Sequence, residues 1–307
     1  MTSTTASVRP SSRDAAGSLT GGVAVWANLA SVYVIWGSTY LAIRVLVRTV
    51  PPLYGAGARF VVAGVLMLAF LGRRRALRVE RRELLACALI GTLLAAGGNG
   101  LVTVAEQDVP SGLAALLVAS VPLWIVLYRT AGRDRVAGAT LLSVAIGFAG
   151  VALLLLPGSR PTGVPLGPSL VIVGAAASWG LGSFASQRLR LPADGLATTG
   201  WQMLFGGLVL MVSGLFAGEH IGTPSGESAW AWAYLVVIGS LVAYTSYTWL
   251  LRNAPISQVA TYAYVNPIVA VILGALILDE DVGTATLAGS ALIVASVAAI
   301  VRRESRH

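Results

Sequence analysis

Apolar runs of roughly 17 to 24 residues, each long enough to cross a hydrocarbon core about 30 Å thick, recur from one end of the 307-residue chain to the other. Such a sequence cannot hide its apolar surface from water. Hydrophobic residues make up 56% of it and charged residues 11%, with a mean hydropathy of +0.79, whereas an ordinary soluble domain is about 25% charged. The bilayer is therefore the solvent in which this chain folds, and an all-α membrane protein is the expected class.

Ten transmembrane helices are predicted, near residues 23–43, 53–71, 84–104, 111–127, 136–156, 169–187, 198–216, 230–251, 255–278 and 282–301. The polar, Ser/Thr-rich residues 1–21 are expected to form a disordered cytoplasmic tail. The run that follows is longer than a signal-peptide core and lacks a cleavage site, so it reads as a retained first helix. The Pro/Gly-rich stretch 157–168 reads as a linker between two halves, 22–156 and 169–303, with 304–307 as a second cytoplasmic tail.

Basic residues test the helix count independently, because cytoplasmic loops carry the positive excess. All 21 are arginine. With the N-terminus inside, the connectors facing outward hold only Arg44, Arg48 and Arg160. Arg59 lies within a span, and every other arginine falls on the inside, including the cluster from Arg73 to Arg82. Both termini are thus expected to be cytoplasmic, in a multi-pass protein of a bacterial cell membrane. The net charge of +8 is distributed in short clusters and forms no continuous basic face, so no nucleic-acid partner is expected.

The same spacing of residues occurs twice. Trp36-Gly37 recurs as Trp179-Gly180 and Gly64 as Gly207, both 143 positions on; Pro110 and Pro122 recur as Pro255 and Pro267, both 145 on. Five helices is an odd number, so the second copy must enter the membrane from the opposite side. Two inverted five-helix repeats are the expected architecture, with a substrate site near the midplane where they meet.

The run WGSTYLAIR from Trp36 to Arg44, Arg59-Phe60, and the stretch from Pro110 to Trp124 resemble the first half of EamA-type members of the drug/metabolite transporter superfamily. The second half is similar through Trp179-Gly180 and through Tyr264 to Glu280, where YVNP precedes a Gly-containing apolar run ending in LDE. The resemblance covers nearly all of residues 23 to 303. It implies a ten-helix exporter of metabolites, amino acids or drugs with a central cavity.

Several side chains are candidates for that cavity. Trp36, Thr39 and Tyr40 share one helix face by their i, i+3 and i+4 spacing, with interfacial belt positions as the alternative for the aromatics. Trp179 is the repeat partner of Trp36. Tyr244 pairs with Tyr247 at i, i+3 and Tyr262 with Asn266 at i, i+4, each deep enough to need a polar partner. Asn99 and Gln202 read either as cavity groups or as interhelical hydrogen bonds. The expected substrate is an amino acid, an aromatic compound or an organic cation. Oligomeric state is open between monomer and homodimer.

Coupling and gating candidates are fewer. Pro122 and Pro267 lie within spans and would free the carbonyls of Val118 and Ala263 for a ligand or hinge, a static kink being the alternative. Arg59 is a functional candidate as an intramembrane charge, although it can instead snorkel outward or bond Glu106 or Asp108. No carboxylate lies at mid-depth. Glu106 is the one acid placed to relay protons, and a solvated helix end is the favoured reading of it, which makes transport facilitative or weakly coupled. The single cysteine, Cys87, lies in an apolar run; His220 and His307 lie in a loop and at the terminus; no phosphate loop or catalytic triad is present. Neither metal nor cofactor is expected, nor an enzyme. A lipid-modifying enzyme or a non-transporting scaffold is the alternative function, but the first lacks clustered acids or histidines and the second a sizeable extramembrane domain.

Overall fold

A computed structural model describes residues 12–73, 79–156, 163–254, 256–259, 261–280 and 282–304. Its helices are α1 (Ser12–Leu46), α2 (Pro52–Arg73), α3 (Arg81–Ala105), α4 (Ser111–Ala131), α5 (Gly138–Leu155), α6 (Leu166–Ser186), α7 (Gly195–Phe216), α8 (Gly226–Leu250), α9 (Tyr262–Leu278) and α10 (Thr284–Glu304). Among the described residues, nine of these are long and apolar enough to cross a membrane, and α9 is a shorter apolar helix of 17 residues. Large apolar side chains such as Leu66, Phe70, Val212 and Leu215 point outward. Water would penalise that belt, whereas lipid tails accept it.

The boundaries follow the hydropathy reading with a few differences. Residues 12–21, expected to be disordered, continue α1 toward the N-terminus, since a run such as Arg13 to Ala16 offers nothing that breaks a helix once the apolar segment has nucleated it. The helix α6 starts at Leu166, inside the expected linker, with Pro165 as its N-cap. Residues 1–11, 74–78, 157–162 and 305–307, and Pro255, lie outside the described residues. Strict alternation of direction places Ser12 and Glu304 on one face with Arg81, Arg82, Arg129, Arg188, Arg190 and Arg302, here called the arginine face. Glu106, Glu219, Glu227 and Glu280 lie on the opposite face.

The two halves interlock. The first helix of each repeat packs on the other repeat: α1 against α8 and α9, α6 against α3 and α4. The Trp-Gly motif explains how. A Cβ added to Gly37 would stand 2.6 Å from the Val269 Cβ and 3.1 Å from the Asn266 carbonyl; one added to Gly180 would stand 2.9 Å from the Trp124 Cβ and 3.4 Å from the Val121 carbonyl. Val269 and Trp124 are repeat equivalents, as are Asn266 and Val121, so one contact is made twice about a pseudo-two-fold axis. Between them, α2 and α7 pack along the axis, where Gly64 meets Gly200 and Leu204 while Gly207 meets Gly57 and Val61. Lipid supplies no hydrophobic drive between helices, so this close backbone approach through small residues holds the halves together by dispersion.

Within α3 and α8 the backbone ladder widens into π-helix, over Thr92–Gly100 and Leu235–Val242. Their first residues stand 143 positions apart, the spacing of the Trp-Gly motif. Longer i→i−5 bonds re-aim the side chains that follow, and such segments cluster at functional sites.

Candidate functional site: a cavity between the repeats

Helices of both repeats, α1 to α4 from one and α6 and α9 from the other, enclose a cavity of about 70 Å³. Trp36, Thr39, Tyr40, Arg59, Asn99, Trp179, Tyr262, Asn266 and Pro267 line it. Its floor is an aromatic cluster centred on Trp36, whose ring centroid lies 6.2 Å from Trp179, 5.3 Å from Tyr244, 4.9 Å from Tyr247 and 5.3 Å from Tyr262. Three of these contacts are edge-to-face, the arrangement that aromatic quadrupoles favour. The rings occupy much of the space, since 70 Å³ is about half the size of an engineered cavity that admits benzene, about 150 Å³. A small organic ligand would have to part them.

Arg59 is 2% exposed, and its partners differ from those expected. Its Nε donates to the Ser240 Oγ at 2.9 Å and its Nη1 to the Asn99 Oδ1 at 3.5 Å, with the guanidinium 4.5 Å from the Phe60 ring centroid. Asn99 lies on the π-helical segment of α3 and Ser240 on that of α8, so Arg59 ties the two segments together. Neither Glu106 nor Asp108 reaches it, because those residues lie in the turn beyond α3 while Asn99 and Ser240 flank α2 at the depth of Arg59. Among the described residues no carboxylate pairs with Arg59, and it is the one ionised side chain lining the cavity.

Other candidates fall elsewhere. Tyr244 is 8% exposed and packs edge-on against Trp36, behind the cavity wall. Gln202 lies outside the cavity, its backbone pressed against Gly91 where α7 crosses α3. Asn266, its amide assigned so that the NH2 faces acceptors, donates to the carbonyls of Tyr262 and Tyr33 at 3.2 Å. Pro122 and Pro267 do not behave alike. The helix α4 breaks after Val118 and resumes at Val121, so Pro122 occupies a first turn where its missing N–H costs nothing. Pro267 stays inside α9 and lines the cavity. The Ser120 hydroxyl donates to the Leu117 carbonyl at 2.6 Å across the break.

Glu106 overturns its reading as a solvated helix end. It is 0% exposed, and neither carboxylate oxygen has a hydrogen-bond partner. The chain turns back directly after α3, with the N–H groups of Asp108 and Val109 bonded to the Ala105 carbonyl at 3.1 and 2.9 Å, which tucks the Glu106 side chain under the turn. Arg44 approaches, but its Nη1 donates to the main-chain carbonyls of Glu106 and Gln107, the latter at 2.6 Å. Burial first, and then the nearby Glu280, hold the Glu106 carboxyl well above the usual carboxylate range, with Arg44 opposing.

Contacts between repeats cross both faces. On the arginine face, Arg188 binds both oxygens of Asp134 at 2.8 and 2.7 Å, and Arg190 pairs with Glu80 at 2.9 Å and Glu83 at 3.3 Å. On the opposite face, carboxylates of the second repeat cap helices of the first. Glu219 accepts from the N–H groups of Leu53 and Tyr54 at the start of α2, and Glu280 from the Ser111 and Gly112 N–H groups and the Ser111 hydroxyl at the start of α4. Unpaired amides and the positive end of the helix dipole make those termini natural seats for a carboxylate.

Sequence reasoning missed Ser240 and the small residues Ala115, Ala119, Ala175 and Ala176 of the cavity wall. Ser240 carries no periodic signal, and an alanine facing a cavity reads the same as one facing lipid.

The chain is 44% identical over 248 residues, 80% of each protein, to the uncharacterized inner membrane transporter YedA of Escherichia coli K12. It is 24% identical over 284 residues to the uncharacterized transporter YoaV of Bacillus subtilis, covering 90% of this chain and 96% of that one. A solved crystal structure shares the fold with a TM-score of 0.65 at 20% identity, over 93% of this chain and 98% of that one. The same family profile covers each five-helix half, residues 24–156 and again 167–302, and the chain belongs to the EamA-like transporter family, as a multi-pass membrane transporter.

Proposed function

We propose that the protein is a secondary transporter that exports a small organic molecule with a flat apolar body and one anionic group, an amino acid or aromatic carboxylate, by alternating access of its two repeats. The arginine face is cytoplasmic in this reading, following the positive-inside rule. The observation that carries it is the company Arg59 keeps. A buried guanidinium without a carboxylate lines a cavity otherwise made of aromatic rings and small apolar residues. A carboxylate would complete its donors in bidentate fashion, while Trp36, Trp179 and Tyr262 would hold the apolar body. Of the substrates expected from sequence, an organic cation loses favour, because Arg59 would repel it.

Counterflow in proteoliposomes tests the proposal, with a panel of labelled aromatic amino acids, aryl carboxylates, their amides and aromatic cations. Carboxylates should exchange at least about tenfold faster than the matching amides, as charge-assisted hydrogen bonds imply. Arg59→Met should erase that preference, and Trp36→Ala or Trp179→Ala should slow all exchange. A preference that survives Arg59→Met in protein of normal gel-filtration profile sinks the anion assignment; a panel with no exchanging member sinks the transport reading.

A further inference from the structure

Glu106 lies between two spaces. One turn deeper on α3, Val102 lines the central cavity; the next residue in the chain, Gln107, lines a vestibule of about 420 Å³ on the face opposite the arginine face, together with Arg44, Arg48 and Glu280. The carboxyl is fully buried and both its oxygens are orphaned. An ionised carboxylate stripped of water and of donors cannot be held so. The arrangement that covers this carboxyl is therefore the protonated one.

We propose that Glu106 is a proton-binding site whose occupancy is required for the vestibule side of the pathway to close. The inference rests on the transporter reading for its purpose, although not for its test. The step is a proton transfer alone: vestibule water gives a proton to a Glu106 carboxylate oxygen, and the neutral carboxyl is then covered by the turn Gln107 to Val109. Reopening admits water, and the proton leaves.

The surroundings agree. From α1 come Tyr40 and Arg44, whose Nη1 donates to the main-chain carbonyls of Glu106 and Gln107 rather than to the carboxylate. Beyond α9 stands Glu280, a like charge held on the α4 cap. Asp108 belongs to the same turn. The α2 groups are Tyr54 and Arg59, the latter bound to Ser240 and Asn99. The helix α6 brings no titratable side chain, nor does α4 over Ser111–Val118. Neither Glu106 oxygen has a hydrogen-bond partner in this arrangement, and once the turn opens, the Arg44 guanidinium and water can both donate to the ionised form.

The sign follows from linkage. Raising the pH depletes the proton-bound form, so the open fraction should grow by up to about tenfold per pH unit for one proton. The test uses the full chain with Cys87→Ala and Ile43→Cys, since Ile43 lines the cavity at 2% exposure just below the vestibule. A membrane-impermeant thiol reagent is applied from the vestibule side, and Val47→Cys in the vestibule corrects for thiol ionisation. Labelling of Ile43→Cys relative to Val47→Cys should climb with pH, and adding Glu106→Gln should hold it low at every pH. The infrared carbonyl band of a protonated carboxyl at neutral pH should vanish in Glu106→Gln. A pH profile unchanged by Glu106→Gln, or no such band in the parent protein, overturns the proposal. No substrate enters either measurement, so failure of the transport reading would show separately, in the counterflow panel.

Discussion

Replacing Gly64 by alanine should force α2 and α7 apart. The new Cβ would stand 2.8 Å from the Gly200 carbonyl oxygen and the Leu204 nitrogen, where ordinary contact begins at 3.4 Å. Both are backbone atoms, which cannot swing aside as a side chain could, so one helix must move or tilt. Overpacking of this kind costs about 1–3 kcal/mol, and alanine in a helix interior returns about 0.5–1 kcal/mol. The net should be a loss of about 1–2 kcal/mol. Gly174→Ala on α6 is the control, because nothing lies within 4 Å of the site, and there the propensity gain should appear alone. Pseudo-symmetry adds a second requirement. Gly207→Ala brings a Cβ to 2.7 Å from the Val61 nitrogen and 2.8 Å from the Gly57 carbonyl, so it should cost about as much as Gly64→Ala. The double variant should cost less than the sum, since helices already parted by one methyl accept the other more easily. Equilibrium unfolding in mixed detergent micelles, followed by tryptophan fluorescence, measures all four. A Gly64→Ala protein as stable as Gly174→Ala would refute the claim that backbone contact along this seam holds the repeats together.

Two further outcomes follow from the faces. The Arg188 hydrogen bond holds the Asp134 carboxyl below the ordinary carboxylate range, so the stabilisation it gives is present above the unfolded-state value of about 3.9 and lost as pH falls through the lower folded value. Thermal stability should therefore drop on acidification below about pH 4 in the parent protein, and Asp134→Asn should flatten that drop; an unchanged acid limb would exclude this pair as its source. Glu280→Gln removes the charge that caps α4 and should cost about 1 kcal/mol, with faster hydrogen exchange at the Ser111 and Gly112 amides as the local signature and unchanged exchange there as the contrary result.

Much of the fold was legible because the bilayer leaves so few choices. Runs of apolar residues gave the helices to within a few positions, and the arginine distribution gave their alternation. Trp36-Gly37 and Trp179-Gly180 were legible as a repeat, but not as glycines seating each repeat's first helix on the other repeat, since a spacing says nothing of what lies across it. The cavity was legible where polar or aromatic residues stood out against an apolar background, as at Tyr40, Asn99 and Tyr262. It was illegible where alanines formed the wall. Arg59 was recognised without its partners, because Asn99 and Ser240 reach it from π-helical segments that hydropathy cannot register. Glu106 misled because its place at the end of a span predicted water, whereas a turn of three residues folds back over it.

The exchange of first helices between repeats also bears on how the chain is made. Helix α1 is made before the other described helices, yet it packs chiefly on α8 and α9, about 180 or more residues later in the chain. Until those arrive, Gly37 and Thr39 lack the partners that cover them in the finished fold, Val269 and Gly239. The symmetry-equivalent helix α6 has no such wait, since α3 and α4 precede it. The repeats are thus assembled in an unequal order despite their symmetric plan, and of the two equivalent helices α1 waits for its partners where α6 does not.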